Sequence, residues 1–143
     1  MFIKQISIFV ENKPGKLSAI TKLLKENNID IRALSIADTK DFGILRIIVN
    51  KPELACEVLK DAECTVSATN VIGVGIPDVP GGLADVMDCL YAANISVEYM
   101  YAFITKSDDS AYVILRVENN DKALEALQDK NYTILTGKDI YEM

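Results

Sequence analysis

Apolar and polar residues alternate through the first ten positions, with Ile6, Ile8 and Val10 on one face, and this predicts a half-buried strand over residues 2–10. After Pro14-Gly15 the period changes. Leu17, Ile20, Leu23 and Leu24 fall at helical spacing, and Asn27-Asn28 end the helix they predict. Strands over 30–37 and 43–49 follow, joined by the turn Thr39-Lys40-Asp41-Phe42. A short amphipathic helix over 52–60 starts on Pro52, where a missing N–H is tolerated, and a strand near 64–68 closes the unit.

The same order then repeats. LysProGlyLysLeu from Lys13 aligns with ValProGlyGlyLeu from Val79, at an offset of 66 residues that also matches Ile20 to Val86, Leu24 to Leu90, Asn28 to Asn94 and Ile29 to Ile95. Downstream, Ile44-Leu45-Arg46-Ile47 matches Ile114-Leu115-Arg116-Val117 at an offset of 70, so the second copy has a longer loop around Lys106-Ser107-Asp108-Asp109. Its elements are a strand over 71–76, with Gly73 and Gly75 on the face opposite the apolar one, a helix ended by Ala93-Asn94, strands over 96–104 and 111–118, a helix over 120–129 and a strand near 132–136. The fold class expected is α+β: two tandem ferredoxin-like βαββαβ modules, 1–69 and 70–143, each an antiparallel sheet with its helices on one face. Each module alone is small enough to be marginally stable, and the segment 64–71 leaves almost no linker, so a tight interface between them is expected.

Composition narrows the function. The 143 residues are half apolar, carry a net charge of −6 and contain no histidine. The acidic balance and scattered Lys and Arg argue against nucleic acid, and no apolar run is long enough to span a membrane, which together with the absence of a targeting pattern suggests a cytoplasmic protein. Cys56, Cys64 and Cys89 are odd in number and lack metal-ligand spacing, so they read as small buried apolar residues. No cofactor, no metal and no catalytic residue is expected; Asp108-Asp109 read as solvated.

The chemistry concentrates where each first strand turns into its helix. Unpaired N–H groups and the positive end of the helix dipole suit a carboxylate there, and Gly15, Gly81 and Gly82 leave the main chain open to it. Asn12 and Asp78, two residues before each proline, are acceptors for an ammonium group. The pairing suits an α-amino acid. The residues alone favour a Pro-Gly that serves only as a turn, with Asn12 and Asp78 capping the helices.

Residues 11–34, followed by Gly43-Ile44-Leu45-Arg46-Ile47, resemble an ACT domain, the amino-acid-binding regulatory module of many enzymes of amino-acid metabolism, and the resemblance extends over nearly the whole chain as two copies. It implies that modules sit side by side in one eight-stranded sheet with effectors at the seam. It also implies ligand contacts from Asn12 and Asp78, from the loop and first helical turn (Gly15, Lys16, Leu17; Gly81, Gly82, Leu83), and across the seam from the start of the second strand, where this chain has Asp30 and Ser96 instead of the usual amide. The two sites are therefore expected to differ.

Tyr99, Tyr101 and Phe103 share a strand face, with Tyr112, Ile114, Ile44 and Ile48 expected on the same helix-free side. A face that apolar predicts a partner sheet, and a homodimer is the simplest source. Arg46 and Arg116 occupy equivalent mid-strand positions and are expected to pair with carboxylates across an interface, with anion binding as the alternative. The leading reading is a non-catalytic amino-acid sensor acting on an enzyme partner through oligomeric packing. A ligand-free dimerisation module and, with less support, a small ferredoxin-like enzyme are the alternatives.

Overall fold

The computed structural model describes residues 2–38, 41–104 and 109–143. The expected Thr39-Lys40 half of the first hairpin turn and, of the Lys106–Asp109 loop, all but Asp109 lie outside them. Strands β1 (Ile3–Glu11), β2 (Ile31–Asp38), β3 (Phe42–Val49), β4 (Val66–Pro77), β5 (Val97–Ala102), β6 (Ser110–Val117) and β7 (Thr133–Leu135) form an antiparallel sheet in the order β2-β3-β1-β4-β6-β5, with β7 also paired to β4. Helices α1 (Lys16–Glu26), α2 (Pro52–Asp61), α3 (Gly82–Ala92), α4 (Asn120–Asp129) and α5 (Gly137–Tyr141) complete the chain.

The helices form where the apolar spacing placed them, and their exits explain the repeat. After each of α1 to α4 the chain passes through a left-handed residue: Asn28 (φ 55°), Glu63 (φ 64°), Asn94 (φ 58°) and Asn131 (φ 63°). Asparagine adopts that conformation more readily than most residues, which is why it recurs at three of these four turns. The N–H groups of Asn28 and Ile29 then turn back onto the carbonyls of Lys25 and Leu24 and cap the end of α1.

Each half has its own core beneath its helices. Ile6, Ile8 and Val10 of β1 pack on Ile20, Leu24, Ala55 and Leu59, while Ile72, Val74 and Ile76 of β4 pack on Val86, Leu90, Ala123 and Leu127. These are the ferredoxin-like modules of the repeat.

One difference from the expected side-by-side arrangement decides the architecture. The strands foreseen near 64–68 and 71–76 are a single strand: β4 pairs with β1 through Val66–Val71 and with β6 through Ile72–Pro77. The sheet therefore has seven strands instead of eight, and the position 69/70 falls within β4. Residues 66, 72, 74 and 76 point to the helices while 71, 73 and 75 point the other way, so the helix-free faces of both halves share one side of a sheet that curls on itself. Within the curl Ile3, Ala33, Ile48, Val71, Ile114, Leu135 and Ile140 form a third core, flanked by Tyr101, Phe103 and Tyr112. Ala33 of β2 bridges to Phe103, and the Phe103 and Tyr112 rings meet edge to face at 5.9 Å.

The aromatic face that seemed to demand a second molecule is thus covered by the other half of the same chain. The tail contributes too. After β7, Thr136 and Asp139 form a capping box that starts α5, a helix absent from the sequence expectation, and α5 delivers the fully buried Ile140 to the third core. At Gly73 a Cβ would collide with the δ-methyl of Ile3, and at Gly75 it would press on the Tyr112 ring, so the two glycines of β4 let the curl close.

Candidate functional site

The Pro-Gly loops end in glycine, and the capping role open to Asn12 and Asp78 goes instead to the main chain. Gly15 (φ 87°) and Gly81 (φ 89°) are the N-cap residues, both left-handed, and neither helix receives a side-chain cap. That conformation disfavours any residue with a Cβ. Nothing lies within 4 Å of where a Cβ would stand on either glycine, so both loops are open to solvent. In the first turn of α1 the Lys16 N–H donates to the Lys13 carbonyl and Ala19 to Gly15; among the described residues the N–H groups of Leu17 and Ser18 have no protein acceptor. The second loop repeats this, with Gly82 donating to Val79 and Asp85 to Gly81, and Leu83 and Ala84 left open.

The surroundings of the two loops differ in charge. In the first, Glu11 pairs with Lys13 at 3.0 Å, and that hydrogen bond, with the charges of Lys13 and Lys16, holds the Glu11 carboxyl below its usual range. Two lysines against one carboxylate leave this loop cationic. The second has Asp78 and Asp85 and no cation of its own. Asn12 lies over the β2–β3 hairpin, its N–H donating to the Asp41 carbonyl and its Oδ1 within 3.5 Å of where a Gly43 Cβ would stand. Asp78 is held the same way, its N–H donating to Asp109. Gly82 is buried, and a Cβ there would collide with the Pro77 carbonyl oxygen, whereas its counterpart Lys16 is exposed.

Leu17 and Leu83 also part company. Leu83 packs on the second core, but Leu17 is exposed and lines an apolar groove of about 130 Å³ with Thr21, Leu34 and Ile36 between α1 and β2.

Asp30 and Ser96 stand apart from both loops. Each begins beyond the far end of its module's first helix, and eleven residues of helix put about 16 Å between that end and the Pro-Gly loop. Asp30 is tied into its own surroundings: its carboxylate pairs with Arg32, its N–H donates to Asn50 Oδ1 (2.9 Å), and Arg32 Nε donates to the Ile140 carbonyl (3.1 Å). Ser96 lines a polar groove of about 650 Å³ with Asn94, Glu98, Glu118, Asn120 and Lys122. The loops themselves sit at opposite ends of β4, one beside Thr65 and the other after Pro77, some 12 residues of strand or roughly 40 Å apart. A single chain therefore gathers Asn12, Gly15, Lys16 and Leu17 in one place and Asp78, Gly81, Gly82 and Leu83 in another, and brings neither Asp30 nor Ser96 to them.

The structural frame and its two glycine-capped helix starts coincide with a known pattern, since the family model of the ACT domain pair matches residues 1–143. The chain belongs to this family. The ACT domain pair is a regulatory module, and a Bacteroides thetaiotaomicron protein of known crystal structure has the same arrangement, with a TM-score of 0.93, 43% identity and coverage of 100% of this chain and 98% of that one. The regulatory subunit of aspartate kinase from Thermus thermophilus, in ligand-free form, shares the fold at a TM-score of 0.65 and 19% identity over 90% of this chain and 93% of that one. An aspartokinase from Corynebacterium efficiens is 28% identical over 138 residues, covering 85% of the ACT pair but only 32% of that enzyme. The ACT pair thus spans about a third of this relative's length.

Among the described residues the ACT pair has no helix long and apolar enough to cross a membrane and no group of three or more His, Cys, Asp or Glu able to hold a metal. Sequence reasoning missed one polar centre of the pair entirely. Gln5 is fully buried under the curl, donating through Nε2 to Tyr99 Oη (2.7 Å) and Ser7 Oγ (3.3 Å) and accepting from Tyr101 O–H at 2.6 Å. Its only sequence signal is a polar residue on the side of β1 away from Ile6 and Ile8.

Proposed function

We propose that this ACT pair is a non-catalytic amino-acid sensor that binds its ligand at the Pro-Gly loops and regulates an enzyme of amino-acid metabolism. The observation that carries the reading is the pair of left-handed glycine caps, Gly15 and Gly81, each presenting open N–H groups with no side chain in the way. The regulatory character of the family and the likeness to part of an aspartokinase support the rest. The ligand carboxylate docks on Gly15 to Leu17 or on Gly81 to Leu83, and Asn12 or Asp78 accepts from its ammonium group. The modules are 1–69 and 70–143, and the protein works in the cytoplasm.

A homodimer completes the sites. Asp30 and Ser96 lie a helix length from the loops of their own chain, so a contribution from them requires a second copy, and the exposed apolar groove of Leu17, Leu34 and Ile36 beside β2 suits such a contact. The same groove is the observation that favours the second reading, a dimerisation module that takes no ligand. Thermal denaturation with each common L-amino acid at millimolar concentration separates the two. Stabilisation by one or a few amino acids, lost in Gly15→Val or Gly81→Val, is expected; no response to any of them defeats the sensor reading.

A further inference from the structure

The curl holds a second kind of site, built on Arg46. Cross-strand register sets Ser35 of β2, Arg46 of β3, Ser7 of β1 and Ser67 of β4 in one row on the inner face, each directly opposite the next. Adjacent strands lie about 4.8 Å apart, so Arg46 stands in this row with a serine on the neighbouring strand on either side of it. The Arg46 guanidinium carbon lies 3.8 Å from the centre of the Tyr99 ring, which belongs to the other module. Arg46, Ser7, Ser35 and Tyr99 are all half-buried. They occupy the open side of the curl, while Ala33 and Ile48, one step further along the strands, belong to its closed core.

Among the described residues, two hydroxyl donors in or beside this row have no acceptor. Gln5 Nε2 fills a lone pair on Tyr99 Oη and one on Ser7 Oγ, so the protons of both hydroxyls are free to point elsewhere. Tyr101 spends its proton on Gln5 Oε1, and burial in the first place, then the neighbouring Tyr99, pushes its phenol well above the usual tyrosine range, so it stays a donor. Among the described residues no carboxylate pairs with Arg46.

The repeat supplies the control. Arg116 is the counterpart of Arg46 in the second module, and it has its own protein partners: Glu98 at 3.6 Å and the Val117 carbonyl at 2.8 Å. The residue that corresponds to Glu98 in the first module is Arg32, a cation, which turns away to Asp30 and the Ile140 carbonyl. The same strand position is neutralised in one copy and left with unfilled donors in the other. A half-buried cation ringed by free O–H donors is stabilised by an anion brought from outside.

We propose that Arg46, with Ser7, Ser35 and Tyr99, binds a small oxyanion, a carboxylate or a phosphate, at the seam between the two modules of one chain. The planar guanidinium supplies a two-point contact and the hydroxyls supply the rest. Since Arg46 and Ser35 come from the first module and Tyr99 from the second, an occupied site ties the two modules together. It is distinct from the Pro-Gly loops and does not depend on them.

The test is thermal denaturation of the full chain in chloride buffer against the same ionic strength of sodium phosphate or sodium succinate at about 10 mM, with tyrosine ultraviolet absorbance recorded alongside. A saturable rise in Tm with phosphate, succinate or both is expected, together with a tyrosine difference spectrum, and the anion that acts identifies the source. Arg46→Gln abolishes the response, Arg116→Gln keeps it, and Ser35→Ala weakens the anion roughly tenfold. Asn12→Ala with Asp78→Ala, which disturbs the loops, also keeps it. A chain that responds to neither anion, or whose response survives in Arg46→Gln, overturns the proposal; should Arg46→Gln fail to fold, an unchanged response in Ser35→Ala does so.

Discussion

The δ-methyl of Ile3 occupies the space that a side chain on Gly73 would need. Ile3 opens β1 in the first module and Gly73 lies in β4 in the second, so this contact is where the two halves of the curl meet. The Cβ of Leu135 from β7 closes on the same point, 3.1 Å from where a Gly73 Cβ would stand.

Gly73→Ala should therefore overpack the third core and lower stability by about 1–3 kcal/mol, as judged by chemical denaturation. Trimming the obstruction with Ile3→Val should recover part of that loss. The double variant is then more stable than the sum of the single effects predicts; strict additivity would show that the collision is relieved elsewhere.

Tyr101→Phe removes the donor to Gln5 Oε1 and leaves that oxygen unpaired in a fully buried side chain. The expected cost is about 1–3 kcal/mol. Gln5→Leu in the Tyr101→Phe background should cost less than Gln5→Leu alone, because the polar partner at Tyr101 has already gone. A double-mutant cycle by urea denaturation measures the coupling, and a coupling near zero would mean that water replaces the lost hydroxyl.

Asp139 accepts hydrogen bonds from the Thr136 N–H (2.8 Å) and hydroxyl (3.0 Å), and these bonds hold its carboxyl below the usual aspartate range. A carboxyl whose folded pKa is depressed contributes stability that is fully present above its unfolded pKa and is lost as pH falls through the folded value. Glu11 and Glu53 act in the same direction, through Lys13 in the first case and, in the second, through a backbone hydrogen bond and Lys4. Tm should fall with decreasing pH below about 4, and Asp139→Asn, which cannot titrate, should show a shallower fall. Parallel curves for the two proteins would remove the capping box from the acid transition.

How far the sequence reaches is clearest on β1. Its alternation correctly sets Ile6, Ile8 and Val10 against the helices, and by the same rule turns Ile3, Gln5 and Ser7 to the other side. Alternation says which residues share a face; it cannot say what covers that face. Nothing in that alternation marks Gln5 as buried, and only the curl, by placing Tyr99 and Tyr101 over it, makes it a buried and saturated amide.

The Pro-Gly loops follow the same division. Proline before glycine at the strand-to-helix turn, repeated at a fixed offset, was enough to locate both helix starts, because the left-handed conformation there favours glycine for purely local steric reasons. The asparagine exits of α1 and α3 were legible on similar grounds. Whether Asp30 and Ser96 reach a loop across a seam was not, since that depends on how modules are arranged, which no local preference encodes.

Sequence by itself determined the duplication, the order of elements as far as β7, and the two glycine-capped loops, all of which rest on periodicity and backbone sterics within a few residues. Tertiary structure alone decided that the last strand of one module and the first strand of the next are a single β4, and that the sheet closes on itself instead of on a partner. It also decided that Arg116 finds Glu98 while Arg46 meets Tyr99 and stands opposite Ser7 and Ser35. The physical reason is that strand pairing and burial join residues far apart in the chain, so equivalent positions in a repeat inherit the same backbone but different neighbours.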